Sequence, residues 1–187
     1  MDSLTQIVLG IATAELVAGK KLQNKTFLYG AMLGTIPDLD IVVGKFLSDV
    51  EGVAIHRGLS HSFLFFVFLS PALGFLISKI EKNKISFKSA SLLSLSCLVT
   101  HVLLDVFTSW GTQILWPLDY RFALKTIFVI DPLYTLPLLI SLIFVWKNKD
   151  SLIRRKFVIR GLIISSSYLL ITCILKLFAV HRSEERR

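Results

Sequence analysis

Three of the chain's four histidines stand close to carboxylates or to one another. The first grouping is Pro37-Asp38-Leu39-Asp40, two acids directly after an apolar run. Proline disfavours helix at the residue before it, so the run should break at Ile36 and present both acids where non-helical backbone can line a cavity. The second grouping is His56-Arg57-Gly58-Leu59-Ser60-His61-Ser62, two imidazoles five residues apart around a glycine that permits a tight turn. The third is His101 with Asp105. At i and i+4 these share one helix face, so both can bind an ion or the Asp can orient the imidazole.

Each grouping alone has a plainer reading. Asp-x-Asp occurs as a helix cap or a solvated turn, His and Arg at a membrane surface touch headgroups, and a His–Asp pair can serve helix packing. Together they argue for a divalent metal. The expected ligands are Asp38, Asp40, His56, His61, His101 and Asp105. That set exceeds a single tetrahedral zinc and suits one or two ions, zinc first, with manganese or iron as alternatives. Such a site can make hydroxide from water at neutral pH and steady charge on a phosphoryl or carbonyl oxygen. Arg57, always charged, can hold a phosphate or carboxylate by paired hydrogen bonds, and Arg121 is a second candidate for that task. Asp131 is the candidate base, and Ser60 is expected behind the ligands or against substrate. No Ser-His-Asp arrangement, glycine-rich phosphate loop or Rossmann fingerprint is evident in the sequence.

The elements that must position these residues are apolar. Of 187 residues, 53% are hydrophobic and 18% charged, far from the balance of a water-soluble domain. Apolar runs over residues 62–78, 89–110, 127–146 and 157–175 each approach the roughly 20 residues that cross a bilayer core. Two shorter stretches, 4–18 and 26–36, precede them as short spans, a re-entrant hairpin or helices buried among the others. The expectation is one all-α domain, residues 1–187: a polytopic helical bundle of four clear spans plus two shorter N-terminal helices. An ionisable group inside a bilayer is costly and marks function by default, which draws attention to Glu15 as well.

The net charge of +8 comes from short loops: Lys20, Lys21 and Lys25; Lys79, Lys82, Lys84 and Lys88; Lys147, Lys149, Arg154, Arg155 and Lys156. This spacing fits membrane orientation with those loops cytoplasmic, and gives no exposed basic face for nucleic acid. Residues 37–60, the loop after Trp110 and the C-terminal tail would then lie outside. All the metal candidates would share the outer depth, with Trp110, Trp116, Tyr120 and Trp146 near span ends. Cys97 and Cys173 fall inside spans and read as core residues.

At these motifs the sequence resembles the YdjM family of membrane-bound proteins assigned as metal-dependent hydrolases, and its branch opening Met1-Asp2-Ser3-Leu4-Thr5-Gln6. Matching pieces include Gly34-Thr35-Ile36-Pro37-Asp38-Leu39-Asp40, the His56 to Ser62 motif, His101 with Asp105, Trp110-Gly111-Thr112-Gln113-Ile114-Leu115-Trp116-Pro117, and Ile130-Asp131-Pro132-Leu133-Tyr134. The resemblance covers about the first 140 residues and implies a bacterial inner-membrane hydrolase. The His101–Asp105 spacing is also similar to one in zinc-dependent phospholipases C, which favours phosphoesters. Other members of the wider family carry His where Gln6 stands, so Gln6 is expected beside the ligands. Many relatives of the branch continue into a C-terminal domain outside the membrane, which this chain would lack.

The resulting expectation is a membrane-embedded hydrolase of a lipid-linked or amphipathic phosphoester, working through metal-activated water with membrane lipids as surroundings. The competing expectation is a metal or ion transporter or metal-sensing protein without hydrolytic activity, since intramembrane Asp and His also mark ion pathways.

Overall fold

The computed structural model describes residues 1–40 and 58–185. Six α-helices run through the described residues: α1 Ser3–Leu22, α2 Lys25–Thr35, α3 Phe63–Ile80, α4 Phe87–Val106, α5 Pro132–Lys147 and α6 Ser151–Glu184. Two 3-10 turns, Ile36–Leu39 and Leu59–His61, lie between α2 and α3. Among the described residues there is no strand, apart from an isolated antiparallel bridge between Thr112 and Phe122.

Local chemistry sets where the helices begin. Side chains of Asp2, Ser62, Ser86, Asp131 and Asp150 accept hydrogen bonds from backbone N–H groups in the first turns of α1, α3, α4, α5 and α6. These caps satisfy donors that would otherwise be orphaned. Pro37 stands at the start of the first 3-10 turn, where the helical run of α2 ends as its position predicts.

Among the described residues three helices are long and apolar enough to cross a membrane: α3, α4 and α6. The sequence suggests a fourth long span over residues 127–146, but α5 has only 16 residues. Asp131 caps it and Pro132 occupies its first position, so residues 127–130 remain outside the helix. α6 runs the other way from expectation, 34 residues where 157–175 was the apolar core.

The two N-terminal stretches are both helices, α1 enclosed by the others and α2 packed on α1 and α4 with Leu28 and Met32 exposed. α1 sits at the centre, packed on α2, α4, α5 and α6, with Val8, Leu9, Ala12, Ala14 and Ala18 buried. Its pairing with α2 is backbone-close: a Cβ on Gly30 would meet Ile11 Cα at 2.5 Å and the Gly10 carbonyl oxygen at 2.6 Å.

Consecutive helices run up and down, so their ends gather into two groups. The three basic loops meet at one end. There Lys25 pairs with Glu81 at 2.7 Å, Lys21 donates to Ser89, and Arg154 reaches Glu15 and Asn24. The opposite end collects the start of α1, the end of α2, both 3-10 turns, the end of α4 and the start of α5.

Candidate metal centre

At that second end four side chains from three separate stretches converge. Asp38 arrives from the 3-10 turn after α2, His61 from the turn before α3, and His101 with Asp105 from the last two turns of α4. One potential ligand atom from each lies within 4.8 Å of all the others. Asp38 Oδ1 is 3.5 Å from both His61 Nε2 and His101 Nε2, and Asp105 Oδ2 is 3.6 Å from each of the same nitrogens. A tetrahedral shell with ligand bonds of about 2.0–2.1 Å has edges of about 3.4 Å, close to these separations.

Backbone and hydroxyl groups set the imidazole tautomers. His101 Nδ1 lies 2.7 Å from the Gly34 carbonyl oxygen. A carbonyl can only accept, so Nδ1 carries the proton and a neutral ring directs its Nε2 lone pair at the cluster. For His61, Ser60 Oγ is 2.9 Å from Nδ1 and donates its single proton to Asp40 Oδ2 at 2.6 Å. The hydroxyl must therefore accept from Nδ1–H, which also leaves Nε2 as the inward lone pair. Each ring is thus held from behind in the form that binds a cation.

Electrostatics point the same way. The side chains of His61, His101 and Asp105 are 0–1% exposed, and that of Asp38 17%. His101 Nε2, Asp105 Oδ2 and Gln6 Oε1 are buried with no hydrogen-bond partner among the described residues. Leaving such atoms unsatisfied costs about 1–3 kcal/mol each, more for a charge, so the donor set fits a divalent cation that would take the two inward atoms. Asp105 Oδ1 faces away from the centre, accepting from Gln6 Nε2 at 3.0 Å and from the Met1 amino group. Gln6 Nε2 also donates to the His101 carbonyl oxygen, so Gln6 lies against the donor set.

Other candidate residues lie elsewhere. Asp40 is on the Nδ1 side of His61, 3.4 Å from that nitrogen, so it backs a ligand candidate instead of joining the four. His56 and Arg57 lie outside the described residues. Asp131, the candidate base, has both oxygens occupied: Oδ1 accepts from Leu133 and Tyr134 N–H, and Oδ2 from the Tyr168 hydroxyl. It caps α5 and is not among the converging donors. Glu15 is at the opposite end, bound to Arg154. Arg121 is exposed in the segment between α4 and α5.

Two supports were not foreseen. The Gly34 carbonyl has no side-chain signature, although Gly34-Thr35-Ile36-Pro37 marks the helix end that exposes it. The Arg154 partnership of Glu15 had a signal: a buried acid needs a cation, and Arg154 follows the basic loop at the same end.

Among known proteins, "Uncharacterized protein YfhP" of Bacillus subtilis (strain 168) is 30% identical over 146 residues, 71% of this chain and 42% of the relative. The chain therefore spans less than half the length of that curated relative. No solved structure matches it. The family model described as "YdjM inner membrane protein" matches residues 1–178, and with the apolar helices and the acid–imidazole cluster in view, the chain belongs to that family.

Proposed function

We propose that the chain is a multi-pass protein of a bacterial inner membrane that hydrolyses a lipid-linked or amphipathic phosphoester with the help of one or two divalent metal ions, zinc foremost. The observation that supports this is the approach of Asp38, His61, His101 and Asp105 to within 4.8 Å of one another at one end of an apolar bundle. A divalent ion bound there would supply a Lewis acid and bring water into the range where it is deprotonated near neutral pH. Gly34 holds His101, and Ser60 with Asp40 holds His61, in the tautomers that such binding needs. Gln6 fixes the outer oxygen of Asp105. Asp38 has the most exposed side chain of the four, so the phosphoester would approach from its side. Arg57 and Arg121 remain the candidates for holding the anionic group. The basic loops at the far end favour an orientation with the cluster on the outer face of the membrane.

The test is purified protein assayed for metal content and for hydrolysis of a panel of lipid phosphoesters. The expected result is stoichiometric metal and turnover, both lost in His101→Ala with the fold retained. Metal without turnover in the wild type, together with metal flux in proteoliposomes, would favour transport instead.

A further inference from the structure

Between α4 and α5 the chain spends residues 107–131 in irregular backbone at the cluster end of the bundle. The segment is pinned. Phe63 N–H donates to the Ile114 carbonyl, Thr112 and Phe122 exchange backbone hydrogen bonds, and Leu124 and Thr126 N–H donate back to Val106 and Phe107. Ile114 and Ile127 pack into the core, yet most of its large side chains are exposed: Trp110 is 66% exposed, Leu118 62%, Tyr120 63%, Phe128 83% and Ile130 70%. Irregular backbone does not sit against hydrocarbon, because its polar groups need partners that lipid tails cannot give. Bulk water would leave these aromatic and aliphatic side chains unburied. The layer that satisfies both is the headgroup region, where Trp and Tyr concentrate.

α6 supplies an independent ruler. At the basic end Arg154 is locked to Glu15 and Asn24, with Lys156 following half a turn later. At the other end the Lys176 ammonium donates to the Leu124 carbonyl oxygen, inside the segment in question. From Lys156 to Lys176 the helix rises about 30 Å, the thickness of a bilayer's hydrocarbon core. Lys156 and Lys176 lie one core-thickness apart, with the exposed Arg160 one turn inside the first and able to snorkel back to the same face, and the second marks residues 107–131.

We propose that residues 107–131 form an interfacial collar resting in the phospholipid headgroup layer at the cluster end, and that this collar sets the membrane depth of the acid–imidazole cluster. Its occupant is the lipid surface itself, continuous with the lipid-facing sides of α3, α4 and α6. The cluster then lies within the last two turns of α4 beneath that layer, within reach of groups anchored in the same leaflet. The depth assignment does not depend on hydrolysis and stands or falls separately from it.

The test uses full-length protein in phosphatidylcholine vesicles, with Trp116→Phe and Trp146→Phe leaving Trp110 as the sole reporter. Nitroxides placed on the lipid headgroup, near the top of the acyl chain or near its terminus are compared with aqueous iodide. The collar predicts the largest loss of Trp110 emission with headgroup and upper-chain nitroxides. Strongest quenching from the chain terminus would overturn it, as would quenching by iodide alone. Protection from every quencher, with cross-linking to a second copy, would also overturn it by showing a protein-covered face. Should the double variant fail to fold, Phe128→Cys in a Cys173→Ser background, spin-labelled and compared for oxygen and water-soluble relaxant access, reads the same depth.

Discussion

Replacing Arg154 with Met should cost far more stability than any surface charge in the protein. The guanidinium is 1% exposed and uses all three nitrogens: Nε and Nη2 to the two oxygens of Glu15 at 2.7 Å, and Nη1 to Asn24 Oδ1, Val145 O and Asn148 O. Without it Glu15, whose side chain is 2% exposed, keeps only the hydroxyl of Thr26 at 2.6 Å among these partners. Breaking a buried pair in this way costs about 3–5 kcal/mol. Removing both charges with Glu15→Leu and Arg154→Met should restore most of the loss, because two apolar side chains leave no stranded ion. The assay is reversible denaturation of detergent-solubilised protein, followed by circular dichroism for wild type, both single variants and the double. A loss below about 1 kcal/mol in Arg154→Met, the range of exposed pairs, would refute the reasoning. So would a double variant as unstable as the sum of the singles.

Gly30→Ala should destabilise by about 1–3 kcal/mol, because its Cβ would press on backbone atoms of α1 that cannot swing aside; thermal unfolding in detergent checks it. Ser60→Ala should weaken metal binding about 10–100-fold by removing the hydroxyl that ties His61 to Asp40, while unfolding in chelator stays nearly unchanged; competition with a chromogenic chelator measures it. At the basic end, the Lys25 ammonium and then the Tyr29 hydroxyl hold the Glu81 carboxyl below its ordinary value. A depressed carboxyl stabilises the fold above its unfolded value and loses that contribution as pH falls through its folded value. Wild type should therefore be more stable than Glu81→Gln at neutral pH, with the two converging in acid, as melting curves across pH would read.

Much of the cluster was legible because its chemistry is expensive in lipid. Asp38, His61, His101 and Asp105 announce themselves as polar groups at the ends of apolar runs, and i, i+4 spacing already joins the last two. Asp40 misleads, since alternate residues in Asp-x-Asp look equivalent until a 3-10 turn sends one to each side of His61. Asp131 differs for another reason: Asp before Pro at a helix start is a cap, so its Oδ1 takes the first N–H groups of α5 while Oδ2 accepts from Tyr168. The long helices were visible in hydropathy, but the start of α5 was set by that same cap. The central position of α1 was open because composition alone does not tell a buried helix from a short span.

That central position has a consequence for biosynthesis. α1 leaves the ribosome before α4, α5 and α6, yet its Glu15 and two terminal lysines make it a poor candidate for lipid by itself. Its neighbours, including the arginine that neutralises Glu15 from 139 residues downstream, do not yet exist when it emerges. α1 is therefore made well before the partners that enclose it, and reaches its final surroundings only when α6 is in place.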